Sequence, residues 1–243
     1  MIKKVLFAVL FGSVFAVPVF SSPVEIMHRI TFLPRLNLNR TLPNRFSLPL
    51  QYTFEMKNGF FADTGISFET TTGYIRGYYF RAGWNNIVST PFGGSLQFAG
   101  TQYAEYERSV NSIIIAGNGN FEWNRYFAGF EIGVNFRFLN IDSDRLWNIF
   151  YYPDISREAI LCYYGVFGMK FFDERYRVFI RFDNRDDFLA GNLGHYGFFF
   201  GQEFDINSRF TVKLIPGFRQ SGSVALAATY YQAIIYFGGE IRL

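Results

Sequence analysis

Charged residues occupy alternate positions along several segments of the sequence, and their signs are balanced. Alternate positions share one face of a β-strand, because successive side chains point to opposite faces. The charged register contains these residues: Glu55, Lys57, Glu131, Arg137, Arg177, Arg181, Asp183, Glu203, Asp205, Lys213, Glu240 and Arg242. A ring of one sign would indicate an ion-selective pore, whereas a balanced set indicates an interior crossed by salt bridges. The alternative is that these are ordinary solvated strand residues, since a one-residue register error reverses every assignment.

Hydrolysis is the other chemistry that the sequence could support. Only His28 and His195 are present, and His195 follows a segment that contains Asp183, Asp186 and Asp187. An Asp–His pair can activate water. However, no serine stands two residues after His195, and a lone histidine is more often a polar structural residue. We therefore expect no enzymatic activity, no metal site and no cofactor.

The clearest element that could position the charged residues is the segment 126–138. Every second residue in it is apolar, and its opposite face carries glycine and charge, including Gly129, Glu131, Gly133 and Arg137. A period of two predicts a β-strand with one apolar face. A long aromatic outer face with a polar partner face is typical of a strand between lipid and an aqueous or polar interior.

Composition agrees with a lipid-facing barrel. The chain has 32 Phe and 16 Tyr among 243 residues, yet its mean hydropathy is only +0.07. A closed barrel can expose so many aromatic side chains, because lipid solvates its outer face and every backbone polar group is paired within the wall. The 23 basic residues against 20 acidic ones give no excess that would indicate nucleic acid as a partner. The single cysteine, Cys162, excludes an internal disulfide.

The N-terminus has the features of an export signal. Lys3 and Lys4 precede an apolar run that is too short for a membrane-spanning helix, and small residues follow it. We predict a signal peptide over residues 1–22, cleaved after Ala16 or near Ser21. Residues 23–46 are then an N-terminal arm or an irregular first strand, and residues 47–243 form one transmembrane β-barrel.

Turn signals divide the barrel region into strands. Short turns are predicted at Asn58-Gly59, Asp173-Glu174 and Asn207-Ser208, with longer links at 141–157 and 183–192. Segment 117–120 is predicted to be a turn or kink. Alternation of short and long links is typical of outer-membrane barrels. The fold class expected is all-β, an antiparallel up-and-down transmembrane barrel of about 10 strands, with 8 or 12 as alternatives.

The C-terminal segment carries a specific resemblance. Ile235, Phe237, Ile241 and Leu243 share one face, and Leu243 is the last residue. Such a strand resembles the terminal recognition signal of bacterial outer-membrane β-barrel proteins, although that family usually ends in Phe. By size the chain looks like the small barrels of the OmpX/OmpW kind. The resemblance implies a location in the outer membrane of a Gram-negative cell, with outer-membrane lipid and the barrel-assembly machinery as partners.

Two functions fit this fold. The first is a narrow pore or passive channel for small solutes, including a lateral route for hydrophobic compounds, with the inward glycines Gly129, Gly133, Gly197 and Gly201 leaving room. The second is a non-conducting structural or surface-interaction barrel that binds surface ligands through external loops, chiefly the aromatic loop 141–157. The rival fold is a soluble exported barrel or sandwich with the aromatic face turned inward.

Overall fold

The structure, a computed structural model, describes residues 26–39, 45–70, 74–85, 90–103, 108–140, 157–184, 195–221 and 230–243. The predicted signal peptide and loop residues 141–156 lie outside these ranges. Thirteen strands form one antiparallel sheet: β1 (Ile26–Phe32), β2 (Arg35–Asn39), β3 (Arg45–Met56), β4 (Phe60–Glu69), β5 (Tyr74–Trp84), β6 (Phe92–Tyr103), β7 (Arg108–Trp123), β8 (Tyr126–Asn140), β9 (Arg157–Phe171), β10 (Tyr176–Asp183), β11 (His195–Asp205), β12 (Phe210–Ser221) and β13 (Tyr230–Arg242). Among the described residues, no helix is long and apolar enough to span a membrane.

The sheet closes on itself between β13 and β3. Both β1 and β2 pair with β13 on one side and with β3 on the other. These two segments are therefore one strand that is broken at Leu33 and Pro34, and the described residues form a barrel of twelve strands. The prediction of about 10 strands was wrong, and the allowed alternative of 12 is the count observed. The proline break hides the alternation of the first strand from the sequence pattern.

The connections separate the barrel into two ends. The turns at residues 57–59, 124–125, 172–175 and 206–209 lie at the same end as Ile26 and Leu243, and we call this end the short-turn rim. At the opposite end, which we call the long-loop rim, lie the last residues of β8, β10 and β12 and the first residues of β9, β11 and β13. The predicted turn at Asn58-Gly59 is present, and Gly59 has a φ of 85° that favours glycine. The links at 172–175 and 206–209 are each longer than the two-residue turns predicted there.

One local prediction was wrong, and one irregularity of the sequence pattern is explained by the structure. Residues 117–120, predicted as a turn or kink, lie inside β7 and pair in register with both β6 and β8. Arg76, which interrupts the alternation of β5, is the extra residue of a β-bulge, because Ser67 pairs with Gly77 while Phe68 pairs with Ile75. A bulge shifts the alternation by one residue.

The two faces of the wall differ in chemistry. Alternate apolar residues point outward and are exposed; on β8 these are Phe130, Ile132, Val134, Phe136 and Phe138. The intervening residues point inward and are buried or half-buried, and they carry most of the charge. The outward aromatic face and the inward charged face have the arrangement expected of a barrel in lipid.

Candidate functional site: the barrel lumen

The inward charges near the short-turn rim form a connected network. Lys213 on β12 bridges Glu203 on β11, at 3.3 Å, and Glu240 on β13, at 2.8 Å. Arg177 on β10 extends the network, because it lies 3.3 Å from Glu203 and 3.2 Å from Asp205. From β10 to β13 the charged groups therefore alternate in sign from strand to strand. Each charge has opposite charges as its neighbours, an arrangement that stabilises cross-strand pairs.

Arg242 completes this network at the end of β13. It lies 3.2 Å from Asp205 and 3.3 Å from Glu240, and it donates a hydrogen bond to the hydroxyl of Thr211. Thr211 in turn donates to Asp205. On the far side of the closure, Arg29 of β1 pairs with Glu55 of β3 at 2.8 Å. The network therefore ties the first and last strands of the barrel to their neighbours.

A second group of charges crosses the middle of the lumen. Arg81 on β5 lies 3.1 Å from Asp63 on the adjacent β4, and 2.8 Å from Glu131 on β8. Two strands separate β5 from β8, so the Arg81–Glu131 pair spans the interior instead of following the wall. Both carboxylates are almost fully buried, with Asp63 3% and Glu131 7% exposed. A buried carboxylate is costly unless it is paired in this way.

A third group lies nearer the long-loop rim, beside aromatic rings. Asp183 on β10 accepts from Arg219 on β12 at 2.9 Å and lies 3.0 Å from Arg181 on its own strand. The Arg181 guanidinium lies 4.2 Å from the ring centre of Phe199 and 5.4 Å from that of Tyr236. Cation–π contacts of this kind stabilise arginine where water is scarce.

The remaining predicted lumen residue, Arg137, is half-buried on the inward register of β8, opposite Ser112 of β7. Of the twelve residues in the charged register, Lys57 was assigned wrongly, because β3 ends at Met56 and Lys57 is exposed in the link 57–59. The other eleven are buried or half-buried on the inward register: Glu55, Glu131, Arg137, Arg177, Arg181, Asp183, Glu203, Asp205, Lys213, Glu240 and Arg242.

Sequence reasoning missed the central residues Asp63 and Arg81 and the buried Arg219. The signal for Arg81 was present, because Gly77, Tyr79 and Gly83 share its alternation. The bulge at Arg76 reverses the alternation within β5. The residues on the two sides of the bulge therefore do not follow one alternating pattern, and the segment looks irregular in the sequence.

Two cavities occupy the interior between these groups. One is about 360 Å³ and is lined in part by Tyr79, Gln97, Glu131, Asp183 and Tyr236. The other is about 330 Å³ and lies toward the short-turn rim, where the network residues contribute to its wall. Each lies within the size range of small-molecule pockets, about 300–1,000 Å³.

The two cavities meet at a common set of side chains. Both are lined by Thr31, Gln51, Arg81 and Arg181. Arg81 and Arg181 project from β5 and β10, on nearly opposite walls of the twelve-strand barrel. The two cavities therefore adjoin inside the barrel, and Arg81 and Arg181 line both of them from nearly opposite walls.

The inward glycines do not leave empty space, contrary to expectation. A Cβ on Gly201 would overlap the ring of Phe179, and one on Gly197 would lie 2.6 Å from the Phe199 ring. One on Gly133 would lie 2.5 Å from the carbonyl oxygen of Ile115, and one on Gly129 3.0 Å from the Asn120 side chain. These glycines accommodate neighbouring groups that pack over them, as inward aromatic rings commonly do over strand glycines.

The histidines are not brought together. His28 faces outward near the short-turn rim, where its Nδ1 lies 2.7 Å from the hydroxyl of Tyr52, and its ring packs against Phe54. His195 begins β11, but its side chain is not among the described parts of the structure. Asp186 and Asp187 also lie outside the described residues. The hydrolytic hypothesis thus gains no geometric support. In the described residues, no group of side chains has the arrangement of a metal site.

The predicted assembly signal lies on the outer face of β13. Ile235, Phe237, Ile241 and Leu243 are all exposed, from 37% for Ile235 to 71% for Leu243. The backbone N–H of Leu243 donates to the carbonyl of His28, at 2.9 Å. The last residue is thus joined to the first described strand.

Comparison with solved structures finds outer-membrane barrels. The NanC porin superposes with a TM-score of 0.60 at 8% identity, over 87% of this chain and 100% of that one. The KdgM porin gives a TM-score of 0.52 at 9% identity, over 87% of this chain and 98% of that one. No family model and no curated protein sequence matches. The chain has the fold of outer-membrane β-barrels, and both of these structures are porins. The OmpX/OmpW-like grouping stays a prediction.

Proposed function

We propose that the protein is a narrow passive pore for small polar solutes in the bacterial outer membrane. The observation that carries this proposal is the pair of adjoining interior cavities that both have Arg81 and Arg181 in their walls. A twelve-strand barrel is wider than an eight-strand barrel, and only the interior of the eight-strand barrel is narrow enough for side chains to fill it. The porin fold of the structural neighbours supports the same role.

Single-channel recording tests this proposal. The mature chain, refolded in detergent and inserted in a planar bilayer, is expected to give small, discrete conductance steps. Oligogalacturonate is a suitable first solute for flux measurements, since the KdgM porin has been described in complex with it. A neutral sugar of similar size is the control. Folded protein that leaves the bilayer silent and carries neither sugar would reject the pore.

The second candidate is a non-conducting structural barrel. The Arg81–Glu131 pair favours it, because this pair crosses the lumen and reduces the free cross-section. Silent bilayers from a folded protein are the result that this candidate predicts. Binding to surface ligands through the loop 141–157 belongs to this candidate and stays a prediction, as residues 141–156 lie outside the described ranges.

We also propose that the barrel-assembly machinery reads the outer face of β13. Replacing Leu243 with Ser is expected to lower the amount of folded protein in the outer membrane several-fold, whereas Leu243→Phe is expected to maintain or raise it. Both variants keep the backbone bond to His28, so both should refold equally well in detergent. Quantifying the folded form in membranes and in vitro separates the two effects. Equal membrane levels for the Ser and Phe variants would contradict a recognition role.

A further inference from the structure

Three hairpins at the short-turn rim end in the same sequence pattern. Each has an apolar residue where the outgoing strand ends and an arginine as the last residue of the turn, and an aromatic residue begins the return strand. The residues are Trp123, Arg125 and Tyr126 between β7 and β8, Phe172, Arg175 and Tyr176 between β9 and β10, and Ile206, Arg209 and Phe210 between β11 and β12. The three hairpins are consecutive around the barrel, and we call them the arginine hairpins.

The three arginines also occupy equivalent positions in the backbone. In each hairpin the carbonyl oxygen of the arginine accepts a hydrogen bond from an N–H of the next strand around the barrel. The pairs are Arg125 with Lys170 at 2.7 Å, Arg175 with Asp205 at 2.8 Å, and Arg209 with Arg242 at 2.8 Å. Each turn is therefore held by its neighbouring strand, and the three arginines are presented in the same way at the rim.

The guanidinium groups of these three arginines have no partner. All three residues are exposed, and within the described part of the chain none of the three guanidinium groups has an ion pair or a hydrogen bond. By contrast, two arginines of the lumen network, Arg177 and Arg242, each lie within ion-pair distance of two carboxylates. The arginine hairpins therefore present cations that an anion from outside the chain can approach.

The acids near the arginine hairpins do not neutralise this set. Glu122 and Glu174 both pair with Lys170, at 2.9 and 3.3 Å. Asp173 shares a turn with Arg175 and offsets the charge of that one hairpin. The exposed cations at Arg125 and Arg209 are thus the stronger candidates for contact with an anion.

The same hairpins expose apolar side chains. Trp123 is 47%, Phe172 77% and Ile206 52% exposed. The Trp123 ring stacks on that of Tyr126, and it also contacts Phe167 on the outer face of β9, so the apolar outer wall continues to the turn. Arginines beside exposed apolar and aromatic side chains are typical of the membrane–water interface. This continuity favours lipid over a soluble anion as the partner.

Arginine suits the phosphate of a lipid headgroup. Its planar guanidinium binds phosphate through two parallel hydrogen bonds. Its long side chain can follow apolar surface and still place the charge at the level of the headgroups. Neighbouring hairpins are two strands apart, roughly 10 Å, so each arginine can contact a different lipid molecule.

We infer that the arginine hairpins form a binding surface for the headgroups of anionic phospholipids at the short-turn rim. Lipid is already the expected solvent of the outer wall, and this inference assigns a headgroup class and the residues that bind it. The surface does not depend on conduction through the lumen. The proposed pore and the lipid-binding surface can therefore fail separately.

Quenching of tryptophan fluorescence by brominated lipids tests this surface. A parent protein with Trp123 as its only tryptophan is made by Trp84→Phe and Trp147→Phe and is reconstituted in phosphatidylcholine vesicles. Brominated phosphatidylglycerol and brominated phosphatidylcholine are compared as quenchers, which gives the relative affinity of the two lipids for the surface beside Trp123. We expect phosphatidylglycerol to be preferred about threefold.

Two glutamine variants of the parent separate contact from overall charge. Arg125→Gln removes the cation beside the reporter and should reduce the preference for phosphatidylglycerol to about one. Arg45→Gln is the matched control, because it removes the same charge at the long-loop end of β3, where Arg45 lies 3.9 Å from Glu69. It should keep the preference of the parent. An unchanged preference in Arg125→Gln, or an equal loss in both variants, would overturn the inference.

Salt dependence tests the surface without replacing an arginine. The preference of the parent should fall toward one between 0.1 and 1 M salt, because the Debye length shrinks from about 10 to about 3 Å and exposed charges are screened. A preference that salt does not change would assign it to contacts other than these arginines. The absence of any preference at low salt would overturn the inference even if Arg125→Gln failed to fold, whatever the single-channel current of the protein.

Discussion

A Gly238→Ala variant is expected to lose closure of the barrel. Gly238 lies on β13 where the first strand is broken, and a Cβ there would overlap the carbonyl oxygen of Phe32 and lie 2.9 Å from the Cα of Leu33. Both are backbone atoms, so no side-chain rotation relieves the overlap. Overpacking of this kind typically costs about 1–3 kcal/mol and more where backbone must move. We expect the free energy of unfolding to fall by about 3 kcal/mol.

The measurement is the fraction of compact, heat-modifiable protein after refolding in detergent, followed by urea titration. Gly117→Ala is the matched control, because Gly117 is also a strand glycine but a Cβ there has no neighbour closer than 3.9 Å. It should refold like wild type. A Gly238→Ala protein with wild-type stability would show that β13 and the first strand do not approach as closely as described.

The second large effect is expected at Arg81. Replacing it with Met removes the cationic side chain that pairs with two buried carboxylates, Asp63 and Glu131, at once. Breaking a buried pair from one side typically costs about 3–5 kcal/mol, because a charge is left without compensation. We expect loss of stability near the lower end of that range, about 3 kcal/mol, since the cavities give the carboxylates some access to water.

Urea titration of four proteins isolates this effect. The set is wild type, Arg81→Met, Glu131→Gln and the double variant, and the double variant should recover part of the lost stability because one uncompensated charge is gone. Lys170→Met is the control, since the partners of Lys170 among the described residues are the exposed Glu122 and Glu174 at the short-turn rim. Such surface pairs contribute about 0–1 kcal/mol. Equal losses for Arg81→Met and Lys170→Met would contradict a buried central network.

The sequence predicts the regular part of the fold well, for a physical reason. In β8 the outward face is apolar and the inward face carries glycine and polar residues, so composition alternates without interruption over residues 128–138. The same pattern places the charges of β10 to β13 on the inward face. These strands run without a bulge, so one register applies along each strand.

The rest depends on features that alternation does not encode. The first strand is broken at Pro34, and its two halves are held in place by β3 and β13, which are distant in sequence. The bulge at Arg76 reverses the register within β5 and conceals Arg81. The hydrogen bond that Pro216 cannot donate to β11 is recognised only once β11 and β12 are aligned. All three features depend on pairing between strands that is not encoded by the alternation of one strand. A shift of one residue in such a pairing moves inward side chains to the outer face.

The central claim is that the lumen is a conducting path, and a cysteine on its inner wall tests this most directly. Gln51 on β3 lines both cavities, whereas its neighbour Leu50 is exposed on the outer face. Gln51→Cys and Leu50→Cys are each made in a background in which the native cysteine, the fully buried Cys162, is replaced by Ala. The two variants are then compared with each other. Single-channel current is recorded before and after a bulky, charged methanethiosulfonate reagent. We predict that current through Gln51→Cys falls by more than half and that Leu50→Cys is unaffected. An unchanged current through fully modified Gln51→Cys would contradict the account.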